Sequence, residues 1–126
     1  MPSKTQTVSD APLGTFEEQV LLAVVRTGRA PGGDGAYGMA VRRELEAVTG
    51  REVTIGAVYA TLDRLEAKGL VGSERGESGP GGSRRLFALT PRGARALADS
   101  REMRERLWHG VDLVPMLAGG NARGGS

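Results

Sequence analysis

Apolar residues recur at helical spacing from the start of the chain. They repeat every four positions in the first segment, at Phe16, Val20 and Val24. This period predicts a helix that ends at Gly28. Thr15 is suited to be its N-cap, and Glu18 three residues later would complete a capping box.

A second helix is predicted over residues 36–48, closed by Gly50. Its buried side is expected to carry Met39, Leu45 and Val48. Its charged residues are expected to face water, and they are Arg42, Arg43, Glu44 and Glu46.

The third segment, "TIGAVYATLDRLEAKGLV", begins with Thr54 as a capping residue and has Gly69 in place for a left-handed C-cap. At about 100° per residue, one apolar stripe follows the helix. It consists of Ile55, Val58, Leu62 and Leu65. The sequence therefore predicts a helix with one well-defined buried side.

Two β-prone pieces follow, at residues 70–74 and 84–89, around a glycine-rich tip. They predict a hairpin with a long loop. Thr90 as N-cap and Pro91 at the first helical position then predict a last helix. Either Gly110 or Pro115 could end it.

Composition removes several classes of chemistry. The chain has 126 residues, enough for one domain, and no cysteine. The single His109 cannot form a metal site alone, and no serine has a nearby histidine, so we expect no catalytic residue, cofactor or metal. The longest apolar run, residues 20–25, is too short to span a membrane, which leads us to expect a cytoplasmic protein with no membrane partner.

Charge is distributed unevenly along the chain. Residues 16–83 contain 8 Lys/Arg against 10 Asp/Glu, whereas residues 84–106 contain 7 Arg against 3 Asp/Glu. A local excess of arginine is expected on an interaction face. For the arginines beyond Pro91, the alternative to an interaction face is a solvated helix with Arg/Glu pairs at helical spacing.

The order helix, helix, helix, hairpin, helix predicts a mainly α protein with a small β-hairpin. It is the order of a winged helix-turn-helix domain followed by one further helix. In such folds the third helix enters the DNA major groove. Opposite the buried stripe, this helix presents short side chains at Gly56, Ala57 and Ala60, with Arg64 one turn further on. Thr54 could contact a phosphate. Packing of this bare flank against another helix is the alternative.

The hairpin adds basic residues near its tip, at Arg75, Arg84 and Arg85, with Ser83 beside them. A wing of this kind commonly reaches the minor groove or the DNA backbone, where arginine is favoured. A solvated strand end is the alternative.

The sequence resembles the PadR family of bacterial transcription regulators from about Leu13 to Leu97. Four segments carry the resemblance: "LGTFEEQVLLAVV", "AYGMAVRRELE", "GAVYATLDRLEAKGLV" and "SRRLFALTPRG". They include Tyr37 and Tyr59, which complete the expected DNA-binding set. Ala60 stands where the family often has proline, and Phe87 replaces a tyrosine. The length leads us to expect a compact member with a single C-terminal helix.

The resemblance implies a homodimer that places two recognition helices on a near-palindromic operator, most simply as a repressor. The expected interface residues are Phe16, Val20, Leu21, Val24, Leu97, Met103, Leu107 and Trp108. Some family members bind aromatic effectors beside a tryptophan, so Trp108 could line an effector pocket or serve only in dimer packing.

The expected organisation is a disordered tail at residues 1–12, a winged-helix domain at 13–90, a dimerisation helix at 91–117 and a second tail at 118–126. A winged-helix module that binds another protein, without DNA, remains the competing function.

Overall fold

The protein was analysed as a computed structural model that describes residues 12–76 and 84–118. The chain forms helix α1 (Thr15–Gly28), α2 (Gly38–Thr49), α3 (Ile55–Ala67), strands β1 (Val71–Gly76) and β2 (Arg84–Leu89), and α4 (Pro91–Trp108). A short helical turn follows at residues 114–118. The two expected tails, apart from residues 12 and 118, and the hairpin tip with Ser83 lie outside the described residues.

The start of α1 differs from the prediction by one residue. Gly14, rather than Thr15, is the N-cap. The backbone N–H of Gly14 donates to the carboxylate of Glu17 at 2.9 Å, so Glu17 takes the place predicted for Glu18. Glu18 instead accepts hydrogen bonds from Ser100 and Arg104 on α4. It thereby joins the first helix to the last.

The turn between α2 and α3 is braced by side chains that were expected to face water. Arg42 donates from Nε to the carbonyl of Val53 at 2.7 Å, and the amide of Val53 donates to Glu46 at 2.9 Å. Gly50 ends α2 with φ of 72°, a left-handed conformation that suits glycine. This bracing fixes where α3 begins.

Local capping sets both ends of α3 as predicted. The hydroxyl oxygen of Thr54 accepts a hydrogen bond from the amide of Ala57 at 3.1 Å. Gly69 has φ of +79° and turns the chain into β1. The strands then pair antiparallel, with Val71 opposite Leu89 and Gly76 opposite Arg84.

One hydrophobic core joins the four helices and the two strands. Its fully buried large side chains are Val20, Leu21, Val24, Val41, Val58, Leu62, Leu65 and Val71. Three of the four predicted stripe positions on α3 are thus in the core, and Ile55 packs partly against it. Val48 was predicted to be buried, but it is 60% exposed on the outer side of α2.

Helix α4 begins as predicted, with the Thr90 hydroxyl oxygen accepting from the amide of Gly93 at 2.9 Å and Pro91 at the first position. It ends at Trp108, close to Gly110 rather than Pro115. Every residue from 101 to 118 is exposed. The second half of α4 therefore projects beyond the core. No helix in the described ranges is both long enough and apolar enough to cross a bilayer.

Candidate nucleic-acid interface

The first turns of α3 form an uncovered surface. Gly56, Ala57 and Ala60 are all exposed, and a Cβ built on Gly56 would meet no atom within 4 Å. The described part of the chain therefore does not pack on this flank at Gly56, contrary to the alternative of helix packing. We refer to Thr54, Gly56, Ala57 and Ala60 as the open face of α3.

A cluster of one tyrosine and two arginines adjoins this helix. The guanidinium carbon of Arg84 lies 3.9 Å from the ring centroid of Tyr37, and that of Arg43 lies 5.9 Å away. Arg43 also donates to the Tyr37 hydroxyl at 3.3 Å. Stacking on the ring holds both cations in place. We call Tyr37, Arg43 and Arg84 the arginine–tyrosine cluster.

Backbone contacts bring the members of this cluster together. The amide of Phe87 on β2 donates to the carbonyl of Ala36 at 2.8 Å, which sets Tyr37 beside the start of β2. Gly38 then lies directly against the ring of Tyr59 on α3, and a Cβ at Gly38 would overlap that ring. The cluster is thus attached to α3 through Gly38 and Tyr59. Tyr59 is partly buried in this contact.

Arg43 was not among the sequence-predicted site residues. Its partner Tyr37 is six residues away on the chain, and Arg84, which stacks on the same ring, is on a different element. Neither separation corresponds to neighbours on a helix face. No local pattern in the sequence indicated this cluster.

Arg64, which is predicted to reach DNA, forms an ion pair with α1 in the free protein. Its Nε lies 3.3 Å from a carboxylate oxygen of Glu17 on α1, and Lys68 donates to the same oxygen at 2.8 Å. Burial by itself would raise the pKa of Glu17, but hydrogen bonds from Lys68, Gly14 and Arg64 outweigh burial and lower it. Arg64 therefore joins α3 to α1 in the free protein.

Arg85, which is also predicted to contact DNA, pairs with acidic side chains of α3 in the free protein. Its two terminal nitrogens donate to Asp63 at 3.0 Å and to Glu66 at 2.8 Å, both on α3. By contrast Arg84 has only Asp34 as an ion-pair partner among the described residues, at 3.7 Å. Arg75 lies on β1 opposite Arg85 and also has an interaction within the chain. The wing arginines are thus not equivalent.

Three of the predicted interface residues are unavailable to a partner chain. Val20, Leu21 and Val24 are at most 2% exposed because the chain's own core covers them. This corrects the prediction, which placed the wrong side of α1 outward. Phe16 and Leu97 pack partly on the same core. Exposed apolar side chains occur instead at Leu22, Met103, Leu107, Trp108, Val111, Leu113, Val114, Met116 and Leu117.

Sequence comparison identifies relatives of this chain. A model of the transcriptional regulator PadR-like family matches residues 32–99, more than half of the chain. The transcriptional regulator Rv3488 of Mycobacterium tuberculosis is 43% identical over 58 residues, which are 46% of this chain and 53% of that protein. The chain thus spans about half the length of this curated relative in the match.

Solved structures share the fold. RosR of H. salinarum is 29% identical, with a TM-score of 0.60 over 90% of this chain and 97% of that one. Bacillus subtilis PadR, solved in complex with operator DNA, is 16% identical, with a TM-score of 0.57 over 70% of this chain and 46% of that one. The predicted winged-helix fold is confirmed by these similarities.

Proposed function

Because this chain belongs to the PadR-like family of transcriptional regulators, we propose that it binds duplex DNA through the open face of α3 and the arginine–tyrosine cluster. The observation that carries the proposal is the exposure of Gly56, Ala57 and Ala60 at the start of a well-capped helix. Glycine inside a helix costs up to about 1 kcal/mol relative to alanine. No contact within the described chain requires Gly56, which favours an external partner.

The dimensions of the major groove fit this surface. The groove is about 12 Å wide, and a helix with its side chains measures about 10–12 Å. Short side chains let the backbone of α3 approach the base edges closely. B. subtilis PadR, which shares this fold, was solved in complex with operator DNA.

Groups around the open face can hold the phosphates. The Thr54 oxygen already accepts from Ala57, but its O–H remains a donor, as do the free amides of the first turn. Arg43 and Arg84 supply positive charge on the Tyr37 ring, which adjoins α3 at Tyr59. Phosphate contacts would fix the position of α3, and contacts from the helix to base edges would provide sequence specificity.

We further propose that the protein acts as a homodimeric repressor on a near-palindromic operator. The exposed apolar residues of α4 and of the segment after it support a second copy as partner, since this much apolar surface is unusual on a monomer. Leu22 on α1 and Met103, Leu107 and Trp108 on α4 are the interface residues we assign.

Trp108 supports two roles in such a dimer. It is 56% exposed at the end of α4, where it could pack against the partner or line a pocket for a small aromatic effector. Packing against the partner needs no additional ligand and is the role we assign first.

A salt series tests the proposal against the competing protein-binding function. Binding of duplex DNA from the region upstream of the gene would be measured by fluorescence anisotropy at increasing salt. We expect the logarithm of the affinity to fall linearly with the logarithm of the salt concentration, by about 0.9 per phosphate contact. If no duplex binds even at low salt, the protein-binding function is favoured instead.

A further inference from the structure

Arg85 on β2 forms a fork that holds two acidic side chains of α3. Its Nη1 donates to Asp63 Oδ1 at 3.0 Å, and its Nη2 donates to Glu66 Oε1 at 2.8 Å. Asp63 and Glu66 are three residues apart and therefore neighbours on one helix face. A planar guanidinium can serve both at once, because it carries several donors in a fixed arrangement.

Further contacts join the hairpin to the same place on α3. The guanidinium carbon of Arg85 lies 4.8 Å from the ring centroid of Phe87. Ser73 on β1 donates to the second carboxylate oxygen of Glu66 at 2.8 Å. Burial alone would lower the pKa of Arg85, but Asp63 and Glu66 outweigh it and raise that pKa. Both strands are thus held to the recognition helix.

We propose that Arg85 is a positioning residue for DNA recognition, which neutralises Asp63 and Glu66 and fixes the hairpin on α3, and that it does not bind phosphate itself. The inference rests on the proposed function. Asp63 is 60% exposed on the helix that we place in the groove. A carboxylate without its cation at that position would repel the DNA backbone.

Arg84, the preceding residue, provides a matched control. Arg84 contacts the Tyr37 ring and Asp34 rather than the acids of α3. Its ion pair with Asp34, at 3.7 Å, is longer than either ion pair of Arg85. We expect Arg84 to contact a phosphate directly. The two adjacent arginines should therefore respond differently when the acids on α3 are neutralised.

The experiment is a mutant cycle on the same upstream duplex used for the salt series. The proteins are wild type, Arg85→Ala, Asp63→Asn with Glu66→Gln, and the triple variant. Arg85→Ala should weaken binding about tenfold in the wild-type background, as expected for an uncompensated like charge. It should weaken binding less than about twofold when both acids are neutral, with an unchanged salt slope.

Arg84→Ala should lower the salt slope by about one in either background. If Arg85 contacts a phosphate, Arg85→Ala should also lower the salt slope by about one, and its loss of affinity should be the same whether Asp63 and Glu66 are charged or neutral. That result would overturn the inference. If wild type binds no duplex at all, the proposed function fails and the role in recognition fails with it.

Hydrogen exchange tests the attachment of the hairpin without DNA. Amides of β1 and β2 should exchange faster in Arg85→Ala than in wild type, while amides of α1 provide an internal reference. Arg85→Lys should be intermediate, because one ammonium group cannot hold both carboxylates in the same arrangement. Unchanged exchange in the hairpin of Arg85→Ala would overturn the inference.

Discussion

Two helical glycines in this protein serve different purposes. At Gly93 on α4, a Cβ would overlap the backbone carbonyl of Leu70 and lie 2.7 Å from Cδ1 of Leu89. At Gly56 on α3, a Cβ would meet nothing within 4 Å. The fold therefore requires glycine at position 93, where α4 approaches the start of β1, but has no such need at position 56.

Alanine substitution should separate the two cases. Gly56→Ala should raise the free energy of unfolding by up to about 1 kcal/mol, because alanine restricts the unfolded chain and favours the helix. Gly93→Ala should lower it by about 1–3 kcal/mol, because a backbone atom blocks the new methyl group. Urea denaturation of both variants measures this. A destabilised Gly56→Ala would mean that the fold does need the glycine.

The sequence did not indicate the ion pairs that the arginines form. Arg64 and Glu17 are 47 positions apart, and Arg85 and Asp63 are 22 apart. Such ion pairs depend on how the elements pack, which no local pattern records. In the free protein Arg64 and Arg85, both in the predicted DNA-contact set, form ion pairs between elements, and Arg43 was not in that set.

At the scale of elements, local chemistry was sufficient to predict most of the fold. Thr54 and Thr90 cap α3 and α4 as expected, and Gly69 turns the chain into the hairpin. These signals act within a few residues, so a single sequence carries them. The start of α1 differs by one residue from the prediction, and the carboxylate in its capping box, Glu17, also binds Arg64 on α3 and Lys68 just after it.

Glu17 should make the α1–α3 contact sensitive to acid. Because its pKa is lower in the folded than in the unfolded chain, the carboxylate stabilises the fold above its ordinary pKa of 4.5. This contribution is lost as the pH falls through the folded value. Glu17→Gln should lower the free energy of unfolding by about 1–2 kcal/mol at neutral pH. The loss is modest because Arg64 and Lys68 are half-exposed and water can hydrate them once the carboxylate is gone.

Denaturation of wild type and Glu17→Gln across the pH range measures the effect. The difference between them should shrink as the pH falls below 4.5 and through the lower pKa that Glu17 has in the folded chain. Glu52→Gln, at an exposed position before α3, provides the control and should change little. A difference that stays constant with pH would contradict the ionised role of Glu17.

For the whole molecule, the sequence indicated an apolar excess but misplaced part of it. The apolar periodicity of α1 does not show which of its apolar residues face the chain's own core. Val20, Leu21 and Val24 were therefore assigned to a partner chain. The structure locates the exposed excess on the projecting half of α4 and the segment after it. This distribution is the basis of the proposed dimer.

Sedimentation equilibrium tests that assembly. Wild type should have twice the chain mass of 13.2 kDa. Leu107→Glu should shift the protein to the monomer, because Leu107 is 70% exposed on α4 and a buried unpaired charge opposes association. Ala94→Glu, near the opposite end of the same helix, should remain dimeric. A monomeric wild type at micromolar concentration would refute the assignment.

Contact between the open face of α3 and DNA can be tested with one pair of variants. Affinity for the upstream duplex would be measured for Ala60→Glu and for Ala94→Glu, two exposed helical positions that receive the same charge. Ala60→Glu should lose about 100-fold in affinity, because a carboxylate is forced against DNA, whereas Ala94→Glu should bind nearly as wild type does. Equal, wild-type affinity for both variants would contradict contact between the open face and DNA.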